Sequence, residues 1–184
     1  MAPRESDAAS PYVVTVSIST GGIPKRPVLA GLLAKVGFVG DGRCHAEHIR
    51  EDRAVSLLDH EVLQRLGGEG FPVAAGSVGE NLSVAGLNVQ QMRSGTQLRI
   101  GHAILELKQP RNTGKCLNAI DPGLQEAMQG QCGYLASVIR EGWIRPGMKI
   151  EVLAEDMAED SFAFHDDGIE GSAAHAALIQ HLDV

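Results

Sequence analysis

The chain is poor in aromatic residues. Phe, Trp and Tyr together make up 4% of its 184 residues, although apolar residues reach 43%, enough for a sizeable core. Three cysteines without a pairing pattern exclude a disulfide framework. The N-terminal stretch MAPRESDAASPYVV lacks the apolar region of a secretory signal. No run approaches the roughly 18 to 20 apolar residues of a membrane span. A soluble, cytoplasmic protein with reduced thiols and no membrane partner is expected. Basic residues are missing from 155–184, which hold eight acids and no Lys or Arg, so residues 1–154 balance sixteen bases against fifteen acids. The net charge of −7 therefore belongs to the tail. A neutral body excludes general nucleic-acid binding, which needs a dense basic surface. It leaves room for a pocket that takes a phosphate or an anionic cofactor.

Several chemical signatures are absent as well. No GxSxG elbow supports a Ser/His/Asp hydrolase. The stretch GSVGENL (76–82) is neither a phosphate loop nor a dinucleotide fingerprint. No regular βαβ alternation appears, which disfavours a Rossmann sheet, and there is no internal repeat.

What is present reads as mainly β. YVVTVSIS (12–19) is an apolar, β-branched run typical of a buried strand. Gly21, Gly22, Pro24 and Pro27 break the chain after it, and 36–53 reads as a long surface loop. AVSLL is strand-like. DHEVLQRL (59–66) predicts a short helix with Asp59 as N-cap and Gly67 as its stop. A short strand is expected at Asn81–Val84. TQLRIGHAILELKQ (96–109) alternates on both sides of Gly101–His102, the pattern of a two-residue hairpin with a type II′ turn. GYLASVIREGWI (133–144) is read as a helix and MKIEVLAE (148–155) as a last strand. Many short strands with glycine turns predict an antiparallel β-barrel with a few short helices. Residues 12–154 would form it, and 155–184 would be an acidic tail with a terminal helix at 172–182, its apolar face packed on the barrel or on a second subunit.

Cys116 stands in KQPRNTGKCLNAIDPG with Lys108, Arg111 and Lys115 ahead of it. Cations stabilise a thiolate, the reactive and metal-binding form of cysteine. Cys116 is thus a candidate reactive or ligating sulfur; the alternative is a small buried hydrophobe whose basic neighbours face water. Cys44, His45 and His48 have zinc-ligand chemistry but no completing pair, so a loop with polar side chains is the favoured reading. Cys132 reads as structural. The 76–82 stretch suits a pocket wall where backbone meets a ligand closely. Lys25 and Arg26 in GGIPKRPV are either solvated charges or phosphate clamps.

Taken in order, STGGIPKRPV, GFVGDG, RAVSLLDHEVL, GSVGENLSVAGL, GTQLRIG, Cys116 and GYLASVIREGWIRPGMKIEV closely resemble the MOSC domain, named after the C-terminal domain of molybdenum-cofactor sulfurases. The likeness spans about residues 12–154. It implies a barrel like that of the pyruvate kinase barrel domain, and a molybdopterin-type molybdenum cofactor. The family's signature cysteine falls on Cys116, as a molybdenum ligand in reductases of N-hydroxylated compounds or as a sulfur carrier. Lys25, Arg26, Arg53, Arg111 and Lys115 would hold the cofactor's charged groups, together with the Gly79, Glu80 and Asn81 segment. The chain departs from the family pattern at Lys115, where many members have proline before the cysteine. With no desulfurase domain in the chain, a cysteine desulfurase or a redox protein would be the partner. A cofactor-free interaction module that keeps the barrel is the competing expectation.

Overall fold

A computed structural model describes residues 10–42 and 50–153. The Cys44, His45 and His48 cluster and the whole 155–184 segment, with the helix expected at 172–182, lie outside the described residues.

The architecture is mainly β with few helices. The strands are β1 (Tyr12–Ile18), β2 (Arg26–Val28), β3 (Gly31–Ala34), β4 (Gly37–Phe38), β5 (Val55–Asp59), β6 (Leu82–Ala85), β7 (Gln97–Ile100), β8 (Ala103–Pro110), β9 (Tyr134–Arg140), β10 (Gly142–Ile144) and β11 (Glu151–Leu153). The helices are α1 (His60–Gly68) and the single turn α2 (Leu124–Ala127). One sheet has the order β11-β7-β8-β9-β5-β6-β1-β2, and a smaller one the order β10-β3-β4. All strand pairs are antiparallel except β5 with β6. A parallel neighbour needs a crossover, and α1 lies in the connection that makes it.

Strand ladders do not close the large sheet into a barrel, because its order ends on β11 and β2. The sheet does curl. The outer edge of β1 meets the segment that leads into β11: Val13 N donates to Met148 O (2.9 Å), Ile150 N to Pro11 O (2.8 Å), and Tyr12 bridges Lys149.

The helix expected at 133–144 is instead β9 followed by β10. Tyr134, Ala136 and Val138 alternate into the main core, with at most 4% of their surface exposed. The period is two, and β9 supplies backbone partners to both β8 and β5. A helix there would strand two rows of peptide groups. The hairpin at Gly101–His102 forms as expected, with Ile100 paired to Ala103 and Gly101 at φ +60°. α1 runs on to Gly68, past the expected stop at Gly67. Asp59 precedes it, yet its carboxylate does not cap the helix; it accepts from Val89 N at 2.9 Å.

Two cores result. The first, inside the curled sheet, is aliphatic: Val13, Val16, Leu57, Leu82, Leu98, Leu105 and Leu107 are fully buried. The second packs α1 and α2 against the sheet's flank through Leu58, Leu63, Leu66, Val78, Leu117, Leu124, Met128 and Cys132. That second core positions the candidate site.

Candidate functional site

Cys116 lies on a short 3-10 turn, Lys115–Ala119, and its thiol is exposed. The turn is local hydrogen bonding plus one anchor. Leu117 N donates to Gly114 O (3.1 Å), Ile120 N to Leu117 O (3.0 Å), and the Leu117 side chain is buried in the second core. Gly114 makes room for the sulfur, since a Cβ there would sit 3.1 Å from Cys116 Sγ.

Arg111, four residues before the turn, ties the end of β8 to the Gly76–Asn81 loop. Its backbone N–H extends the β8–β9 ladder to Gly133 O (2.9 Å), and its Nη2 donates to Val78 O (2.5 Å). Nη1 is buried and has no hydrogen-bond partner. Beside it, Gly79 has φ +88°, and a Cβ there would meet Ile23 Cγ2 at 2.7 Å and Arg111 Nη2 at 3.1 Å. Only glycine fits that left-handed, crowded position. The 19–25 loop packs on the same segment through Lys25 N, which donates to Gly76 O (2.8 Å).

Beneath these loops lies a polar network. Asn81 Nδ2 donates to Asp41 Oδ2 (2.8 Å) and to Ser17 O (3.2 Å), while its Oδ1 accepts from Ser56 N (3.2 Å) and Ser56 Oγ (3.1 Å). Lys25 Nζ grips Asp41 at 2.5 and 2.6 Å, and Ser19 N donates to Asp41 Oδ1 (2.9 Å). Glu80 is fully buried; its Oε1 accepts from Gly76 N (2.5 Å) and Ser83 Oγ (3.0 Å), whereas Oε2 has no partner. Burial pushes the Glu80 carboxyl above its ordinary range, against the pull of the Gly76 N–H, the Ser83 hydroxyl and the Arg111 charge. Burial likewise raises the Cys132 thiol, with Arg111 lowering it and Cys116 raising it further. Cys132 thus lies within electrostatic range of both, under the Cys116 turn, and donates to Met128 O (3.3 Å).

The expected residues divide. Cys116, Arg111, Gly79, Glu80, Asn81 and Lys25 come together on these adjoining loops, but Lys25 is committed to Asp41 and Asn81 to the buried network. Lys115 is exposed beside Cys116, and Lys108 turns away to Glu106. Arg26 is exposed on β2, and Arg53 lies 3.9 Å from Asp52. Of the three cations ahead of Cys116, therefore, one folds back. The adjoining cavity of about 370 Å³ is lined by Thr113, Asn118, Pro122, Gln125, Glu126 and Gln129, without a cation. Sequence reasoning did not single out Asp41, Ser17 and Ser56, whose contacts with Asn81 span 25 to 64 positions; GFVGDG carried the family likeness without marking Asp41.

An exposed thiol, a guanidinium with an unused N–H and a glycine-crowded loop make a surface suited to an anionic ligand with a soft metal. Comparison with known proteins matches residues 44–151 to the MOSC domain. The chain belongs to the MOSC domain family. This MOSC chain is 30% identical over 146 residues to the Bacillus subtilis protein YflK, matched over 72% of the chain and 63% of YflK. It therefore spans less than two thirds of that relative's length. Among solved structures, YiiM from Escherichia coli superposes with a TM-score of 0.63 at 28% identity, over 79% of this chain and 71% of YiiM. YiiM from Geobacillus stearothermophilus gives 0.65 at 23% identity, over 80% and 77%, a likeness of fold. Among the described residues no helix is long and apolar enough to cross a membrane, and no group of three or more His, Cys, Asp or Glu side chains is placed to hold a metal ion.

Proposed function

We propose that this MOSC protein binds a molybdopterin-type molybdenum cofactor, with Cys116 as molybdenum ligand or as sulfur carrier. One observation carries the reading: Arg111, just ahead of the exposed Cys116 turn in sequence, ties the end of β8 to the Gly76–Asn81 loop and leaves its Nη1 buried without a partner. A buried guanidinium nitrogen with no acceptor is costly, and a phosphate oxygen would satisfy it. The donor set fits the group: a thiolate is a soft ligand, and Gly79 lets backbone approach a ligand closely. Arg111 would bind the cofactor's phosphate through Nη1 while Nη2 stays on Val78. Lys115 and Arg26 add exposed positive charge. Lys25 acts indirectly, holding Asp41 and through it Asn81. The same reading takes the curled sheet as a barrel whose seam runs along Tyr12 and Lys149.

The bound group would supply redox chemistry for reducing N-hydroxylated compounds, with the protein orienting it. In sulfur transfer, the Cys116 thiolate attacks the outer sulfur of a desulfurase persulfide; the donor's thiolate leaves, and Cys116 carries the sulfur onward. Either use needs a free thiol, as in a reducing cytoplasm, and a partner that delivers electrons or sulfur.

Protein purified from a molybdenum-replete host should contain molybdenum well above background, and Cys116→Ser should lower it. Persulfide labelling of Cys116 after incubation with a cysteine desulfurase tests the carrier role. Failure of both assays leaves the cofactor-free interaction module, whose supporting observation is an exposed apolar row on the small sheet.

A further inference from the structure

The small sheet presents that row. Leu32 on β3 pairs with Trp143 on β10, and Val39, just past β4, donates its N–H to Leu32 O (2.9 Å). Their inward neighbours Leu33, Phe38 and Ile144 are buried, so Val39, Leu32 and Trp143 point outward side by side. They are 59%, 36% and 62% exposed, with Leu29 (94%) two positions before β3. Trp143 is the chain's single tryptophan, in a sequence with few aromatics. An exposed indole at one end of a contiguous apolar row marks a surface that is covered by something.

We propose that the occupant is the chain's own acidic segment, residues 155–184, docked on the Val39–Leu32–Trp143 row. The segment has the composition for it. It carries Phe162 and Phe164, half of the chain's four phenylalanines, and then Leu178, Ile179 and Leu182. Its charge is complementary: eight acids and no Lys or Arg, against Arg140, Arg145 and Lys149 flanking Trp143 in sequence with Glu141 the one acid between them, and none of the three cations is in an ion pair among the described residues.

Its origin is close enough. Leu153 pairs with Gln97 on β7, four positions from the β7–β8 turn at Gly101, which is roughly 13 Å along a strand. β10 lies against that turn: Arg140 Nε donates to His102 O, and a Cβ on Gly142 would be 2.9 Å from Ala103 N. Phe162 follows Leu153 by nine residues, which span up to about 30 Å. A tethered segment docks without paying for bimolecular encounter, which favours it over a second copy of the chain.

Trp143 reports directly on its own cover. In the full chain we expect short-wavelength emission and restricted quenching by acrylamide. A Phe162→Asp, Phe164→Asp double variant and a Leu178→Asp, Leu182→Asp double variant are measured beside it. Displacing the segment should shift emission to longer wavelength and raise the quenching constant about twofold in at least one of them, since the indole regains water on one face. Far-UV circular dichroism should be unchanged, because neither variant alters a side chain of the two described cores. Identical quenching in all three proteins overturns the proposal. So does an emission maximum that shifts on dilution of the wild-type chain, which would assign the row to a second copy.

Discussion

Glu80 illustrates how one residue in the GENL stretch serves structure. Its Oε1 holds Gly76 N–H and the Ser83 hydroxyl, closing the loop that faces Arg111, and burial raises its titration point above the free value of 4.5. A carboxyl that is raised in the folded state contributes stability that is complete below pH 4.5 and is lost as pH climbs through the raised value. Asp59 has the same sign, raised by burial against the N–H groups of Val89 and Gln90. Glu80→Gln keeps the Oε1 acceptor and cannot ionise. We expect urea midpoints of the variant to fall less steeply than wild type between about pH 4.5 and neutrality, with the residual slope owed to Asp59. Equal slopes would place the Glu80 carboxylate in a far better solvated setting. The sequence exposed Cys116 and the GENL glycines because chemistry and turn propensity are local. It concealed the environment of Cys132, which has no charged residue within five positions yet lies within range of Arg111 across the β8–β9 ladder.

Among the elements, the Cys116 turn is the least supported by regular structure. Five residues of 3-10 backbone are held by a single buried side chain, Leu117, whose partners come from α1, α2 and the Val78 loop. Leu117→Ala should destabilise the protein by about 2 to 4 kcal/mol, the usual cost of an aliphatic truncation that leaves a cavity. Amide exchange should rise across 115–121 before it rises in β8 or β9. A uniform rise would mean that the turn has no independent anchor. Element identity was readable where period and turn chemistry agreed, as in β1 and the Gly101 hairpin. It failed at β9, where Leu135, Val138 and Ile139 sit at spacings that also suit a helix face. Partners on both sides decide that case, and partners are not written in the segment itself.

For the molecule as a whole, Asn81 is the crosslink with the widest reach. Its amide joins β1 at Ser17, β5 at Ser56 and the Asp41 segment, so the loop over the second core is fastened to the strands of the first. Asn81→Ala should cost about 2 to 4 kcal/mol, because several buried partners lose a bond at once. The midpoint of urea unfolding should fall with its slope unchanged, the mark of one cooperative unit. Two separate transitions would show that the network does not couple the cores.

β1 has a further consequence. β2 pairs with its C-terminal half nearby, but its other partners are β6, some seventy positions downstream, and the 147–150 segment further still. During synthesis Val13 must therefore wait in water until the chain has passed β6 and the 147–150 segment, since β2 reaches only Val16–Ile18 and no early segment can complete both edges of the strand. β1 is made long before its full complement, which makes this non-local pairing slow and leaves nascent chains exposed to aggregation until elongation has passed Ile150.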